Sequence, residues 1–154
     1  MFEIVLVEPE IPHNTGAAGR LAIATGSRLH LIEPLGFSLD QKAVRRAGLD
    51  YWKSVDLVVW KDWPTFQTAH PKARQWFLTT KGSESLWNAN FQKGDHLIFG
   101  AETRGLSDQI HSTLSPNQRI RIPMADGPIR SLNLATSIGI VLYEGCRQVK
   151  GKLS

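Results

Sequence analysis

The sequence predicts an α/β protein with a mostly parallel sheet flanked by helices. Three observations carry that prediction. Short apolar runs rich in β-branched residues recur along the chain, stretches with helical spacing separate most of them, and Gly, Pro, Asp or Asn marks the joins. Alternation of this kind buries a parallel sheet between helical layers, because the connection that brings a strand back in parallel is usually a helix.

Phe2–Val7 is the first strand, apolar but for Glu3, as expected where both faces are covered. Glu8-Pro9-Glu10-Ile11-Pro12 ends it, since proline removes a donor and restrains its neighbour. Asn14 is the expected N-cap of a helix over Thr15–Thr25, closed by Gly26. Arg28–Ile32 forms a second strand stopped by Pro34 and Gly36, and Asp40 caps a polar helix through Ala47, ended by Gly48. Val55–Trp60 is the third strand, followed by a short helix at Trp63–Ala69 and a fourth strand at Gln75–Thr80. Gly82–Gly94 is expected to be a loop with one helical turn. His96–Phe99 is the fifth strand, Ser107–Leu114 a short helix, and Arg119–Ile122 the last strand. A long helix from Ser131 to Lys150 follows, with Ser131 and Asn133 at its opening. Its Leu134, Ala135, Ile138, Val141, Leu142, Gly145 and Val149 form a stripe at helical spacing that suits packing on the sheet. Ile140 and Tyr143 widen that stripe and Gly139 permits close approach, which suggests a second partner.

With 154 residues, 42% hydrophobic and 21% charged, the chain suits one domain over residues 1–154. The apolar runs are too short and interrupted to cross a bilayer. No targeting segment is evident, so a cytoplasmic protein is expected. Cys146 is the only cysteine, which precludes an intrachain disulfide and fits a reducing compartment. Its apolar neighbours suggest an inert packed thiol. The net charge of +4 tilts mildly toward an anionic partner. Neither G-x-G-x-x-G after a strand, nor G-x-x-x-x-G-K-[ST], nor G-x-S-x-G occurs. His13, His30, His70, His96 and His111 are scattered without metal-ligand spacing, so no metal is expected.

Three loops at strand ends remain. They are Leu78-Thr79-Thr80-Lys81-Gly82, Phe99-Gly100-Ala101-Glu102-Thr103-Arg104-Gly105, and Ile120–Met124 with Arg130-Ser131-Leu132-Asn133-Leu134. Ligands of open α/β sheets collect beyond the carboxyl ends of the strands. Glycine lets backbone approach a ligand closely, and Leu78, Ile122 and Met124 offer apolar walls. Singly, each position is a strand end, a turn glycine, a core isoleucine or a cap.

Together with Asn14-x-Gly16-x-x-x-Arg20 upstream, these motifs in this order resemble the SPOUT superfamily of RNA methyltransferases over essentially the whole chain. The likeness is strongest to compact members that methylate the ribose of the tRNA wobble nucleotide. The resemblance implies a C-terminal trefoil knot, which general folding rules would not propose. It also implies S-adenosylmethionine as cofactor, held by Leu78, Gly100, Ile122 and Ser131, and a homodimer that completes the site. Arg20 is the implied catalytic residue. Arginine stays protonated, so its role is a phosphate clamp or a stabiliser of developing negative charge on oxygen. Asn14, Glu102 and Asn133 are expected to hold the loops in place, with Glu102 pairing with Arg104 or capping a turn as the alternative. Lys42, Arg45 and Arg46 share one helix face as an expected RNA contact, and Trp52, Trp60, Trp63, Trp76 and Trp87 are stacking or core residues. Two alternatives stay open: a ribose methyltransferase for another tRNA or ribosomal RNA position, and a non-catalytic RNA-binding module of this fold. The segment Ala125–Ile129 departs from the family pattern by one extra residue.

Overall fold

The computed structural model describes residues 1–40, Lys42, Val44, Arg46 and 49–149. In chain order the elements are β1 (Glu3–Val7), α1 (Pro12–Thr25), β2 (Arg28–Ile32), β3 (Leu57–Trp60), α2 (Trp63–Ala69), β4 (Gln75–Leu78), β5 (Glu84–Ser85), β6 (His96–Phe99), α3 (Asp108–His111), β7 (Arg119–Arg121) and α4 (Leu134–Val149). Short 3-10 turns occupy Leu49–Ser54, Leu86–Asn88 and Pro116–Gln118. The strands form one seven-stranded sheet in the order β3-β2-β1-β6-β4-β7-β5, parallel at every pairing.

Alternate side chains of β1 divide the core. Phe2, Ile4 and Leu6 join Leu29, Leu97 and Ile138 on one face, whereas Val5 and Val7 join Ile32, Phe66, Phe77 and Ile98 on the other. Both sets are almost fully buried. Each such side chain contributes about 1.5–3 kcal/mol against exposure. Helices α1 and α4 cover the first face. Gly145 of α4 lies flat on Phe2, where an added Cβ would come within 2.9 Å of the ring. Gly139 faces Leu21 of α1 at ordinary contact distance, so its neighbour lies within the chain, while Tyr143 is half exposed. Gly26 closes α1 in the left-handed region at φ 62°, as its position after the helix requires.

Three local expectations are corrected. Asn14 is not an N-cap: α1 starts at Pro12, and Asn14 is buried within its first turn. The last helix begins at Leu134 rather than Ser131. Asn133 caps it, accepting from the Thr136 amide at 3.2 Å. Glu84–Ser85 forms a two-residue strand beside β7, too short to leave an alternation in sequence. Lys42 and Arg46 are helical and exposed, whereas Arg45 lies outside the described residues. Four tryptophans are half-buried and Trp87 is exposed.

The histidines are not all scattered in space. His30 of β2, His70 just past α2 and His96 at the start of β6 gather with Trp60 and Phe66, the His70 and His96 rings 4.9 Å apart. Trp60 Nε1 donates to His30 Nδ1 at 3.0 Å, so His30 carries its proton on Nε2 and donates to Glu3 Oε2 at 2.6 Å. Among the described residues no group of three His, Cys, Asp or Glu side chains is placed to hold a metal ion. Burial, then the neighbouring His70, push the His96 pKa down to about 4 from an ordinary 6.5. His96 therefore binds fewer protons folded than unfolded. Its contribution to stability is complete above pH 6.5 and is lost as pH falls toward 4, amounting to about 2 kcal/mol after solvent screening. Glu3 is held below its ordinary 4.5 despite the opposing effect of burial, first through its His30 hydrogen bond, so its loss comes only at lower pH. Urea unfolding at pH 7.5 and 5.0 should show this decline, and His96→Leu should flatten it.

Candidate active site

The strand order explains why the loops meet. β6, β4 and β7 are neighbours, and because all run in parallel their carboxyl ends open at the same edge of the sheet. The loop after β4 passes over the end of β7 to reach β5. There Thr79 N donates to Ile120 O at 3.0 Å, and Gly82 lies so close that an added Cβ would sit 2.7 Å from the Ile120 carbonyl carbon. The loop after β6 folds back through paired Ala101–Gly105 hydrogen bonds. At Gly100 a Cβ would fall 2.2 Å from the Gly105 carbonyl carbon, so only glycine fits.

These loops and the segment after β7 enclose a cleft of about 600 Å³. Leu78, Gly100, Ile122 and Ser131 all line it. Leu78 and Ile122 pack against the core from the cleft, giving it apolar walls, and Met124 and Ile129 extend these outward as exposed side chains. Its volume falls within the 300–1,000 Å³ usual for small-molecule sites, and the apolar walls stand within a lining that is polar on balance.

A hydrogen-bonded chain locks the loops to α1. Glu102 accepts from the amides of Glu10 at 2.8 Å and Ile11 at 2.5 Å, and from Asn14 Nδ2 at 3.4 Å. Asn14 Oδ1 in turn accepts from Asn133 Nδ2 at 3.2 Å. Asn14, Glu102 and Asn133 thus tie the first, second and third motifs together, as expected. Ile11, at the N-cap position of α1, makes no capping bond of its own, and Glu102 satisfies the orphan amides there from across the fold. Glu10 holds the same loop from the other side, accepting from Thr103 N and Oγ1 at 3.1 and 2.7 Å. Thr103 is accordingly the first cause of the lowered Glu10 pKa. Glu102 does not pair with Arg104, which instead approaches Glu10 at 3.9 Å.

Cations ring the mouth. Lys81, Arg104, Arg121 and Arg130 line the cleft and are exposed. Arg121 and Arg130 have no carboxylate partner among the described residues. Sequence reading missed this ring, because its members come from two loops, the end of β7 and the segment after it, and share no periodicity. Arg20 lies elsewhere: exposed on α1, it does not line the cleft, and its guanidinium sits 5.7 Å from the Tyr51 ring centre. Cys146 is buried, and burial raises its pKa, as suits an inert thiol.

Residues 1–143 match the SpoU rRNA methylase family. The chain belongs to that family. A tRNA (cytidine(34)-2'-O)-methyltransferase of Burkholderia pseudomallei is 49% identical to this methylase over 150 residues, 96% of each chain. The protein of that name in Escherichia coli K12 is 47% identical over 149 residues, 97% of this chain and 94% of its own. A solved structure described as giving insight into 2-OH methylation of C/U34 on tRNA superposes with a TM-score of 0.91. It is 44% identical and covers 96% of this chain and 95% of that one. The SpoU assignment accords with the parallel sheet and with a cleft built from loops at its carboxyl edge.

Proposed function

We propose that this SpoU family member is an S-adenosylmethionine-dependent tRNA methyltransferase acting on the ribose 2'-hydroxyl of wobble nucleotide 34, cytidine or modified uridine. The observation that carries this reading is the convergence of three motif loops on one nucleoside-sized cleft, in a chain nearly half identical to relatives of that name.

Leu78 and Ile122 would flank the cofactor's adenine, while Gly100 and Ser131 bring backbone and hydroxyl groups to its polar edges. When bound, S-adenosylmethionine supplies a methyl group already activated on a sulfonium. The protein's work is then to position the ribose hydroxyl and ease loss of its proton. The cationic ring at the mouth suits the phosphates flanking the target nucleotide, and the exposed Lys42 and Arg46 suit a further RNA contact. Arg20 lies away from the cleft lining of its own chain. A homodimer that sets Arg20 of one protomer at the cleft of the other would bring it to the reacting oxygen, where it clamps phosphate or stabilises charge. The half-exposed Tyr143 and Ile23 suit such an interface. Arg20→Ala should lower kcat about 100-fold and leave cofactor Kd within about twofold, as loss of one charge-stabilising donor predicts. Steady-state kinetics and calorimetry check this, and an unchanged kcat would remove Arg20 from the mechanism.

A trefoil knot accords with the path of the chain: β7 lies between β4 and β5, and their connecting loop crosses its end before the chain continues to α4. No helix among the described residues is long and apolar enough to cross a membrane, and a cytoplasmic place suits a tRNA substrate.

Mass mapping of tRNA after incubation with the protein and cofactor tests the proposal. A methyl on the ribose of nucleotide 34 is expected. A mark on another ribose would point to the related specificity, a methylated base would overturn the reaction, and no mark with no cofactor binding would leave only an RNA-binding module.

A further inference from the structure

One histidine in the cleft wall has no part in the mechanism above. His111 ends α3, and its ring lines the cleft beside Thr79. His111 Nε2 stands 3.4 Å from Thr79 Oγ1. Thr79 is the first residue past β4 and the pivot of the loop: its amide is tied to Ile120, its carbonyl accepts from Gly82 N at 3.1 Å, and its hydroxyl oxygen accepts from Lys81 N at 3.2 Å. One lone pair and one proton of that hydroxyl remain.

The other ring nitrogen, Nδ1, is buried without a hydrogen-bond partner. A buried bare N–H is rarer in proteins than an under-used acceptor. The favoured tautomer therefore keeps the proton on Nε2 and donates it to Thr79. Thr79 Oγ1 then accepts twice, and its own proton is left to point away from both donors, in a residue that lines the cleft. Protonating the ring would bury an unpaired N–H and add charge. Burial, then Lys81 on the loop and Arg119 on β7, hold the His111 pKa below its ordinary 6.5 against the opposing Asp108 of α3. Arg119 Nε is likewise buried without a partner.

We propose that His111 is a positioning residue for cofactor recognition: it commits the Thr79 hydroxyl to donate into the cleft, toward a hydrogen-bond acceptor on the nucleoside of S-adenosylmethionine. The proposal rests on the methyltransferase reading of the same cleft. It adds a residue whose effect passes through Thr79 and not through contact with the ligand. Thr79 and His111 lie 32 residues apart in the chain, so no local motif announces the pair.

Calorimetric titration of the full-length protein with S-adenosylmethionine tests it. His111→Phe and Thr79→Val should each weaken Kd about fivefold at pH 7.5. The double variant should be no weaker than either single one, and His111→Gln, which restores an N–H near the Nε2 position, should recover most of the loss. Circular dichroism confirms folding, and Thr79→Val carries the same test if His111→Phe does not fold. Unchanged affinity in both single variants, or losses that add in the double variant, would overturn the inference and leave the methyltransferase reading intact. No cofactor binding by wild type would overturn both.

Discussion

Gly100→Ala should leave no S-adenosylmethionine binding measurable at a hundred times the wild-type Kd. The new methyl would lie 2.2 Å from Gly105 C, 2.3 Å from Leu106 N and 2.6 Å from Gly105 O. All three are backbone atoms, so no side-chain rotation relieves the contact. The loop cannot slide either, because Ala101 and Gly105 exchange hydrogen bonds at 3.2 and 2.8 Å, and Gly105 itself turns at φ 65°. The substitution must open the loop, which displaces Glu102 together with one wall of the cleft. A stability loss of 3 kcal/mol or more is expected, at the upper end of overpacking effects. Gly127→Ala is the control from the same cleft. Nothing lies within 4 Å of its Cβ position, so unfolding should shift by less than about 0.5 kcal/mol. Calorimetry and urea unfolding of both variants decide the matter. Binding within threefold of wild type in Gly100→Ala would show that the loop adapts.

Glu102→Ala should destabilise the fold by about 3–5 kcal/mol and disable the site with it. Its carboxylate satisfies two amides at the start of α1 and the Asn14 side chain. A part-buried donor stranded without an acceptor, as Glu10 N and Asn14 Nδ2 would be, costs about 1–3 kcal/mol, whereas the exposed Ile11 amide can turn to water. The loss also frees the α1 entry and, through Asn14 and Asn133, the segment leading into α4. Glu102→Gln keeps one acceptor oxygen and should retain roughly half of the stability difference. If catalysis in Glu102→Ala survives at temperatures where the protein remains folded, the network stabilises without shaping the site.

How much of this was legible in the sequence differs between residues. Leu78, Gly100, Ile122 and Ser131 were legible through the family resemblance of the motifs that hold them, and parallel strands that send their loops to one edge give the physical reason they share one cleft. Asn14 misled as an N-cap because its residue type and its place before an apolar stretch fit a cap equally well. The acceptor that satisfies this helix start stands about ninety residues away, on Glu102. Ser131 suits the opening of the last helix for a similar reason: two capping residues stand near its start, and only the bond from Thr136 N shows that Asn133 serves. Glu84–Ser85 left no trace because two residues cannot display a period.

By itself the sequence determined the parallel α/β class, the places of six strands, the amphipathic final helix and the motifs marking the cleft. Those are local properties: side-chain periodicity, the fixed φ of proline and the freedom of glycine act on neighbouring residues. Tertiary structure alone decided the strand order, the Asn14–Glu102–Asn133 tie, the basic ring at the cleft mouth and the buried histidine cluster. Each of these joins residues distant in the chain, and such contacts exist only once backbone pairing has set which strands lie side by side.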